Sequence, residues 1–270
     1  MPESTRPIRA LMRGLDALAV LNRRNGATVS EVAGDIRLPR TTTYRVLETL
    51  CAAGYVFRDQ ADDRYRLTIK VRGLADGFDD EAWVSQIARP VLRDLCRDIV
   101  WPVAIATLSG TSMTVRETTD DRSPLVVERV AAGSRVPLLA SATGRAYLAF
   151  CTTQQRDTLV DILGRSARDE DKLARNPSEL ARILNEARAQ GYASAIRARR
   201  VSDEVSIAVP VVLEERVLAC LTVRFAANAV PMKTALERFL PRLQHAAATI
   251  RARFLEQSSA ERRPADPASE

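Results

Sequence analysis

Residues 28–54 read TVSEVAGDIRLPRTTTYRVLETLCAAG, and the two helices in that stretch decide what the rest of the chain can be. Thr28 and Glu31 stand three apart ahead of an apolar run, the spacing of a capping box, in which hydroxyl and carboxylate each satisfy a backbone donor at a helix start. Val29, Val32, Ala33 and Ile36 then recur at helical spacing and mark a buried face. Arg37-Leu38-Pro39 closes that helix, because proline disfavours helical geometry in the residue before it. Pro39 suits the first turn of a second helix, whose stripe is Thr43, Val46, Leu47 and Leu50 and which Gly54 ends. Arg40, Thr41, Thr42, Tyr44, Arg45, Glu48 and Thr49 face away from the stripe. Guanidinium groups, hydroxyls and a phenol on the first turns of a helix suit a major groove: they bond base edges, touch thymine methyls and receive phosphate. The plain alternative is a two-helix hairpin with a solvated polar face.

Downstream, 55–58 and 65–67 are β-prone runs either side of the polar turn-forming segment 59–64, and they predict a hairpin. That makes the segment a winged helix-turn-helix. Arg58 and Arg64 near the tip are candidates for phosphate or minor-groove contact, or are solvated surface arginines. The candidate DNA contacts are therefore Arg40, Thr41, Thr42, Tyr44, Arg45, Thr49, Arg58 and Arg64. Upstream, Ile8, Leu11, Met12, Leu15, Leu18, Ala19 and Leu21 predict a first helix over 8–23 that packs under the reader, with Asn25-Gly26 as its stop.

The 270 residues are 46% hydrophobic and 27% charged, the make-up of a globular protein long enough for two cores. The net charge of +6 is uneven: residues 1–75 hold 13 Lys and Arg against 8 Asp and Glu, or +5, and the remaining 27 against 26 give +1. The basic excess lies with the helix-turn-helix, which fits a polyanionic partner. Cys51, Cys96, Cys151 and Cys220 are far apart, and His245 is the one imidazole. That pattern argues against a zinc site or a Cys/His nucleophile, so no metal or other cofactor is expected. Neither a secretory apolar segment nor a run of about 18 apolar residues appears, so a cytoplasmic protein with no membrane partner is expected.

Beyond the hairpin, 68–82 reads as a linker helix. An amphipathic helix from Trp83 to Cys96, bent or split by Pro90, opens a second domain. From residue 103 the period becomes two: 103–107 and 113–117 alternate across Ser109-Gly110, and 125–130 is a further β-prone run. An extended segment at 136–139 leads to a helix over 145–150, with more helices near 154–163 and 177–190. Residues 205–212 and 217–225 are apolar on both faces, as central strands are. A final helix over about 232–254 precedes a polar tail at 258–270. The expected architecture is α+β: a winged helix-turn-helix domain at 1–67, a linker helix at 68–82, a second α/β domain at 83–257 and a disordered tail.

With the winged helix, VPLLASATG at 136–144 and SIAVP at 206–210, the chain resembles the IclR family of bacterial transcription regulators over nearly its whole length. Within the family, LTIKVR at 67–72, VWP at 100–102, VRETT at 115–119, LAFC at 148–151 and ACL at 219–221 resemble the regulators of 3-(3-hydroxyphenyl)propionate catabolism. The resemblance implies a GAF-like effector-binding second domain, homodimers or dimers of dimers, an operator of double-stranded DNA and a small aromatic carboxylic acid as effector. It places the effector's carboxylate on the backbone N–H groups of Ala142 and Thr143, with Leu139, Ser141 and Gly144 in the same turn, and strand contacts on Ser206 and Thr222. A helix start does attract a carboxylate. Small-acid binders of the family commonly carry an aspartate in the loop before the first of these strands. Here that stretch is near Ala195-Ile196, which favours a larger, less polar acid. Trp101 is a candidate pocket wall or a core aromatic; Arg116 and Arg197 are candidate partners of the acid or surface charges. The alternative is an enzyme that converts a small molecule and carries an accessory nucleic-acid-binding domain; against it stand the lack of a metal-ligand cluster and of a nucleophile–base pair.

Overall fold

The structure, a computed structural model, describes residues 7–24, 26–75, 80–198, 202–214 and 216–261. The expected helix stop at Asn25, the linker end at Gly77 and Phe78, the turn residue Glu215 and tail residues 262–270 lie outside the described residues. Contacts divide the chain into two units, Met1–Asp79 and Asp80–Glu270.

In the first unit α1 (Arg9–Arg24), α2 (Val29–Asp35) and α3 (Arg40–Ala52) are followed by the hairpin β1 (Val56–Asp59) and β2 (Arg64–Leu67). The capping box is formed: Thr28 N donates to Glu31 Oε2 at 2.7 Å, and Glu31 N donates to Thr28 Oγ1 at 3.3 Å. Arg37, in the left-handed region at φ 53°, turns the chain after α2, and Pro39 caps α3 from just outside its first turn. Ala17, Val20, Leu21, Val32, Leu47, Val56 and Tyr65 form the core. The expected packing of all of α1 under the reader is corrected. Ile8, Leu11, Met12 and Leu15 are 70%, 60%, 54% and 54% exposed, and the helix enters the core only through its second half. The seven-residue α2 is about 10 Å long and covers too little of a helix that spans about 24 Å.

Of the segment read as a linker helix, residues Ile69–Ala75 form a 3-10 helix. The second unit opens with α4 (Asp80–Trp83), a π-helical turn (Val84–Ala88) and α5 (Arg89–Ile99) in one run. Pro90 does not break this run. It falls in the first turn of α5, and the wider π turn ahead of it accommodates the missing N–H and the ring. Then come β3 (Val103–Ser109), β4 (Ser112–Thr118), β5 (Arg135–Pro137), α6 (Ala142–Phe150), α7 (Thr153–Gly164), a 3-10 turn (Asp169–Arg175) and α8 (Pro177–Gln190). After these follow β6 (Ala193–Arg197), β7 (Glu204–Leu213), β8 (Arg216–Ala226), α9 (Met232–Arg238) and α10 (Leu240–Glu261).

The strands make one antiparallel sheet in the order β5-β4-β3-β8-β7-β6. Because side chains alternate along a strand, the sheet feeds two cores. Val103, Ile105, Ile207, Val209, Leu221, Val223 and Phe225 pack with α5, α9 and α10. Ala106, Met113, Ala208 and Cys220 pack with α6, α7 and α8.

Three expectations differ from this. Residues 125–130 form turns instead of a strand, since β5 takes the edge of β4 and side chains hold the segment: Asp120 Oδ2 accepts from Val130 N at 2.7 Å, and Arg224 Nη1 donates to the Glu128 carbonyl at 3.0 Å. Ala195-Ile196 is not a loop but part of β6. The final helix is two, divided at Phe239 ahead of Pro241, and the second continues to Glu261, past the expected domain end at 257.

Candidate nucleic-acid interface and ligand site

α3 presents Arg40, Thr41, Tyr44, Arg45 and Thr49 to solvent, with Thr42 half-buried. Arg40 and Arg45 have no ion-pair partner among the described residues. Thr49 donates its hydroxyl to the Arg45 carbonyl at 2.7 Å, leaving its oxygen as an acceptor. Glu48, read from the sequence as outward-facing, accepts from the buried Tyr65 hydroxyl at 2.8 Å and ties α3 to the wing.

The wing arginines are engaged within the fold. Arg58 bonds Asp63 at 2.6 Å, and Arg66 bonds Asp59 at 2.7 Å and Asp62 at 2.5 Å. Arg64 donates to Glu31 Oε2 at 3.1 Å and to the Gly26 carbonyl at 3.2 Å. It therefore stitches the wing to the cap of α2 instead of standing free at the tip. The Thr28 backbone N–H, then the Thr28 hydroxyl and Arg64, hold the Glu31 carboxyl below its ordinary value of 4.5.

In the second unit Ser141 caps α6. Its hydroxyl accepts from Gly144 N at 3.0 Å, donates to the Pro137 carbonyl at 2.6 Å and lies 3.1 Å from the Thr143 hydroxyl. Arg145 N bonds the Ser141 carbonyl. Of the first four N–H groups, those of Ala142 and Thr143 have no protein acceptor among the described residues. Gly144 earns its place sterically: a Cβ there would sit 2.0 Å from the Leu138 carbonyl oxygen. The buried Leu139 offers its carbonyl to Arg145 Nε at 2.8 Å, and Arg145 Nη1 reaches the Ser194 carbonyl at 3.0 Å, so this turn is bound to β6. Burial lowers the Arg145 pKa.

Opposed residues of an antiparallel sheet share a face. On the α6 side the register runs Ala104, Thr222, Ala208, Ala193 in one row and Arg224, Ser206, Ala195 in the next. This is a floor of small side chains. Thr222 donates to the Ile207 carbonyl at 3.1 Å. Ser206 and Thr222 thus lie on the α6 side of the sheet.

Trp101 does not join them. It packs edge-on against Phe225, centroids 6.2 Å apart, in the α5 and α10 layer, because Phe225 points the opposite way from Thr222 and Arg224. Arg116 is set in a bulge between β3 and β4, and its Nε donates to Thr107 Oγ1 at 2.8 Å. Thr107 alternates with Ala106 and so belongs to the α5 side, which takes Arg116 away from the floor. Arg197 lies opposite Glu204 on the correct face, but exposed on the edge strand.

The arginine that does lie buried on this face is Arg224, which the sequence reading passed over. Its Nη2 pairs with Asp120 and its Nη1 lies 3.5 Å from Glu204, all three side chains being 8% exposed or less. The available signal was its phase: in VLACLTVRF, Arg224 falls in step with Cys220 and Thr222, on an inward-facing position.

Two surface clefts, of about 630 and about 670 Å³, open on this unit, one between α5 and Arg122-Pro124, the other beside the turn that leads into α6, among Leu139, Arg145, Asp169, Lys172 and Glu179. Burial raises the Cys151 thiol to about 11 and pushes Cys220 up further, as for unreactive core thiols. Among the described residues no group of three or more His, Cys, Asp or Glu is placed to hold a metal, and no helix is long and apolar enough to cross a membrane.

Residues 10–60 match the family model of the IclR helix-turn-helix domain, and residues 80–252 match that of the bacterial transcriptional regulator IclR C-terminal domain. The HTH-type transcriptional repressor AllR of Salmonella typhimurium is 29% identical over 192 residues, 71% of this chain and 70% of that one. The probable transcriptional regulator SauR of Cupriavidus necator is 28% identical over 224 residues, 83% and 86% of the two chains. Among solved structures, an IclR-family regulator from Rhodococcus superposes with a TM-score of 0.62 at 21% identity, covering 93% of this chain and 96% of that one. An IclR homolog from Microbacterium hydrocarbonoxydans, complexed with 4-hydroxybenzoate, gives 0.54 at 22% identity, covering 92% and 99%. At these identities the superpositions speak for the fold.

Proposed function

This chain belongs to the IclR family of bacterial transcriptional regulators, with a helix-turn-helix domain and an effector domain, and from that premise we propose that its hold on an operator responds to a small aromatic carboxylic acid. The observation that carries this reading is the start of α6, where the Ala142 and Thr143 N–H groups lack protein acceptors. Two such donors at the positive end of a helix are a receptor for a carboxylate, and the small-residue floor of β3, β8, β7 and β6 offers an apolar bed for a ring. The 4-hydroxybenzoate in the Microbacterium homolog supports the same ligand class. The short sequence words shared with that subgroup support 3-(3-hydroxyphenyl)propionate catabolism as the gene set under control, in the cytoplasm.

A thermal-shift screen with aromatic acids tests the reading, since a ligand at 100 times its dissociation constant adds about 2.7 kcal/mol to the native state. Thr143→Pro deletes one of the two donors at a position where proline is compatible with a helix start. The variant is expected to lose the response to the acid while operator binding persists. A folded Thr143→Pro protein that binds the acid like wild type moves the anchor elsewhere.

On the DNA side, Arg40 and Arg45 are proposed to read base edges, with Thr41, Thr42, Tyr44 and Thr49 beside them. The assembly is proposed to be a homodimer or a dimer of dimers on paired half-sites. The apolar stripe of Ile8, Leu11, Met12 and Leu15, left open on α1, supports a second copy as its cover, since exposed apolar patches of this kind mark interaction surfaces. Sedimentation at micromolar concentration is the check: a monomer that protects a single half-site in footprinting overturns the dimer.

A further inference from the structure

The cleft of about 630 Å³ lies with α5, which covers the face of the sheet opposite to α6. One wall is α5 with Val100 at its end, and the other is the segment Arg122-Pro124. The fold sets the two walls against each other. The Ser123 hydroxyl donates to the Val100 carbonyl at 2.7 Å. Thr119 N donates to the Val103 carbonyl at 2.9 Å, and Val103 N donates to the Thr119 hydroxyl at 3.0 Å. Arg122 N in turn donates to the Thr119 carbonyl at 3.0 Å. Val100 leaves α5 in the left-handed region at φ 68°, a conformation that a β-branched residue keeps only where its surroundings impose it. The concavity is therefore formed before any ligand arrives.

Its charge has no counterpart inside the fold. Arg89, one turn before Arg93 on α5, is held by Glu117 at 2.6 Å. Arg93 has no ion-pair or hydrogen-bond partner for its side chain among the described residues. Arg122 has its chain neighbour Asp121 at 3.9 Å, beyond hydrogen-bonding distance. Asp94 is the one carboxylate of the lining, and Arg97 already holds it. Three guanidinium groups less one carboxylate leave the lining at +2, where residues 76–270 as a whole carry +1. A single exposed arginine is ordinarily left to water. Two without a hydrogen-bonded counter-ion, on facing walls of one fixed cleft, are a receptor for an anion.

The size of the cleft and its charge define the ligand. Guanidinium groups take oxyanions through paired N–H donors, and Arg93 and Arg97 stand one turn apart on the same helix face. A dianion neutralises the lining, and a monoanion leaves half of the charge. The volume falls in the range of small-molecule sites and exceeds what a bare oxyanion fills. Pro90, Val100 and Pro124 supply apolar edges for a small hydrocarbon part.

We propose that this cleft is a second ligand site, which takes a small organic dianion, a phosphate monoester or a dicarboxylate, through Arg93, Arg97 and Arg122. It is separate from the α6 turn and does not depend on the acid-effector reading.

Calorimetry on the full chain at fixed low salt tests it with three probes of similar size: phenyl phosphate, phthalate and benzenesulfonate. At about pH 8 a phosphate monoester, whose second pKa is about 6, is a dianion, and benzenesulfonate is a monoanion. At least one of the two dianions is expected to bind wild type, and to bind about tenfold tighter than benzenesulfonate. Arg93→Ala and Arg122→Ala alter exposed side chains and are each expected to weaken that binding about tenfold, the loss of one hydrogen-bonded charge contact. Arg165→Ala, at an exposed arginine of the α7 end, and Thr143→Pro, at the α6 turn, are expected to bind the dianion like wild type. Which dianion binds tells phosphate monoester from dicarboxylate, and either one with these dependences upholds the site. The proposal is overturned if neither dianion binds at millimolar concentration, if benzenesulfonate binds as tightly, or if folded Arg93→Ala and Arg122→Ala keep wild-type affinity. Equal weakening by Arg165→Ala reduces the effect to a general attraction to a basic surface and overturns it too. Loss of binding in Thr143→Pro alone moves the anion to the α6 turn, which defeats this site and leaves the acid-effector reading standing.

Discussion

Gly144→Ala puts the placement of α6 to a direct test. In an open helical position the change from glycine to alanine adds about 1 kcal/mol of stability. Here the new Cβ would lie 2.0 Å from the Leu138 carbonyl oxygen and 2.5 Å from both Leu138 C and Cα, all backbone atoms that no rotamer change can move. An ordinary contact needs more than 1 Å of extra separation, so the start of α6 must be lifted away from the 138–141 turn. Overpacking of well-packed sites costs about 1–3 kcal/mol. A clash with backbone belongs at the upper end, and after the helical gain a net loss of about 2 kcal/mol is expected. For a unit of this size that lowers the melting temperature by about 4–8 °C. Both tryptophans, Trp83 and Trp101, are in the second unit, so their fluorescence in urea reports on that unit without interference from the DNA-binding one. Gly164→Ala is the control: the nearest atom to its Cβ is the Ala174 carbonyl oxygen at 4.0 Å, and the change should be neutral or stabilising. Because the displaced helix carries the Ala142 and Thr143 donors, folded Gly144→Ala protein is also expected to bind aromatic acids more weakly. If Gly144→Ala is as stable as Gly164→Ala, the close approach of α6 to Leu138 is wrong, and the ligand site built on it goes too.

Arg45→Ala is expected to weaken specific operator binding by about 1–3 kcal/mol without unfolding the domain, read by gel shift at fixed salt; an unchanged ratio of specific to random affinity removes Arg45 from the reading set. Trp101→Ala, with Trp101 in the α5 and α10 layer against Phe225, is expected to cost about 3–5 kcal/mol of stability in urea and to leave the order of acid preference unaltered; a changed order with unchanged stability would place Trp101 in the pocket after all. Lowering the pH should loosen the N-terminal unit through Glu31. Its folded pKa is depressed, so its contribution is full above the unfolded value near 4.5 and is lost as pH falls through the lower folded value. Glu31→Gln should flatten that part of the stability curve, and an unaltered curve would deny the capping box its share.

The helix-turn-helix was legible because its signals are local. A capping box, a proline and a glycine fix the ends of α2 and α3 within a few residues, whatever the rest of the chain does. The same local rules failed on α1, where periodicity identifies an apolar stripe but not what covers it: Ala17, Val20 and Leu21 are buried in this chain, while Leu11 and Leu15, one or two turns earlier on the same helix, are not. β6 was missed because Ala193, Ser194 and Ala195 are poor strand formers in isolation and are held by pairing with β7. The opposite error at 125–130 has the same root. Val126 and Val127 favour a strand locally, but the pairing edge they would need is taken by β5.

Facing was the harder problem in the second unit, and it is a matter of parity. Trp101 and Arg116 carry the right chemistry for a pocket, and both stand within a few residues of the floor in sequence. Trp101 precedes a strand whose odd-numbered residues Val103 and Ile105 face α5, and Arg116 falls at a bulge, where alternation no longer predicts the side. The arginines of the first unit show a related limit. A count of charges over 1–75 gives a basic excess but not its location, and the ion pairs supply it. Arg24, Arg58, Arg64 and Arg66 are held by Asp35, Asp63, Glu31 and the pair Asp59 and Asp62, so the wing is close to neutral as a group. Among the described residues no ion pair holds Arg37, Arg40 or Arg45 around the start of α3, nor Arg9, Arg13 and Arg23 of α1 or Lys70, so within the helix-turn-helix and its wing the uncompensated charge lies at the start of α3. That distribution favours a reader that approaches DNA through the start of α3, with the wing bracing the helix instead of gripping the duplex.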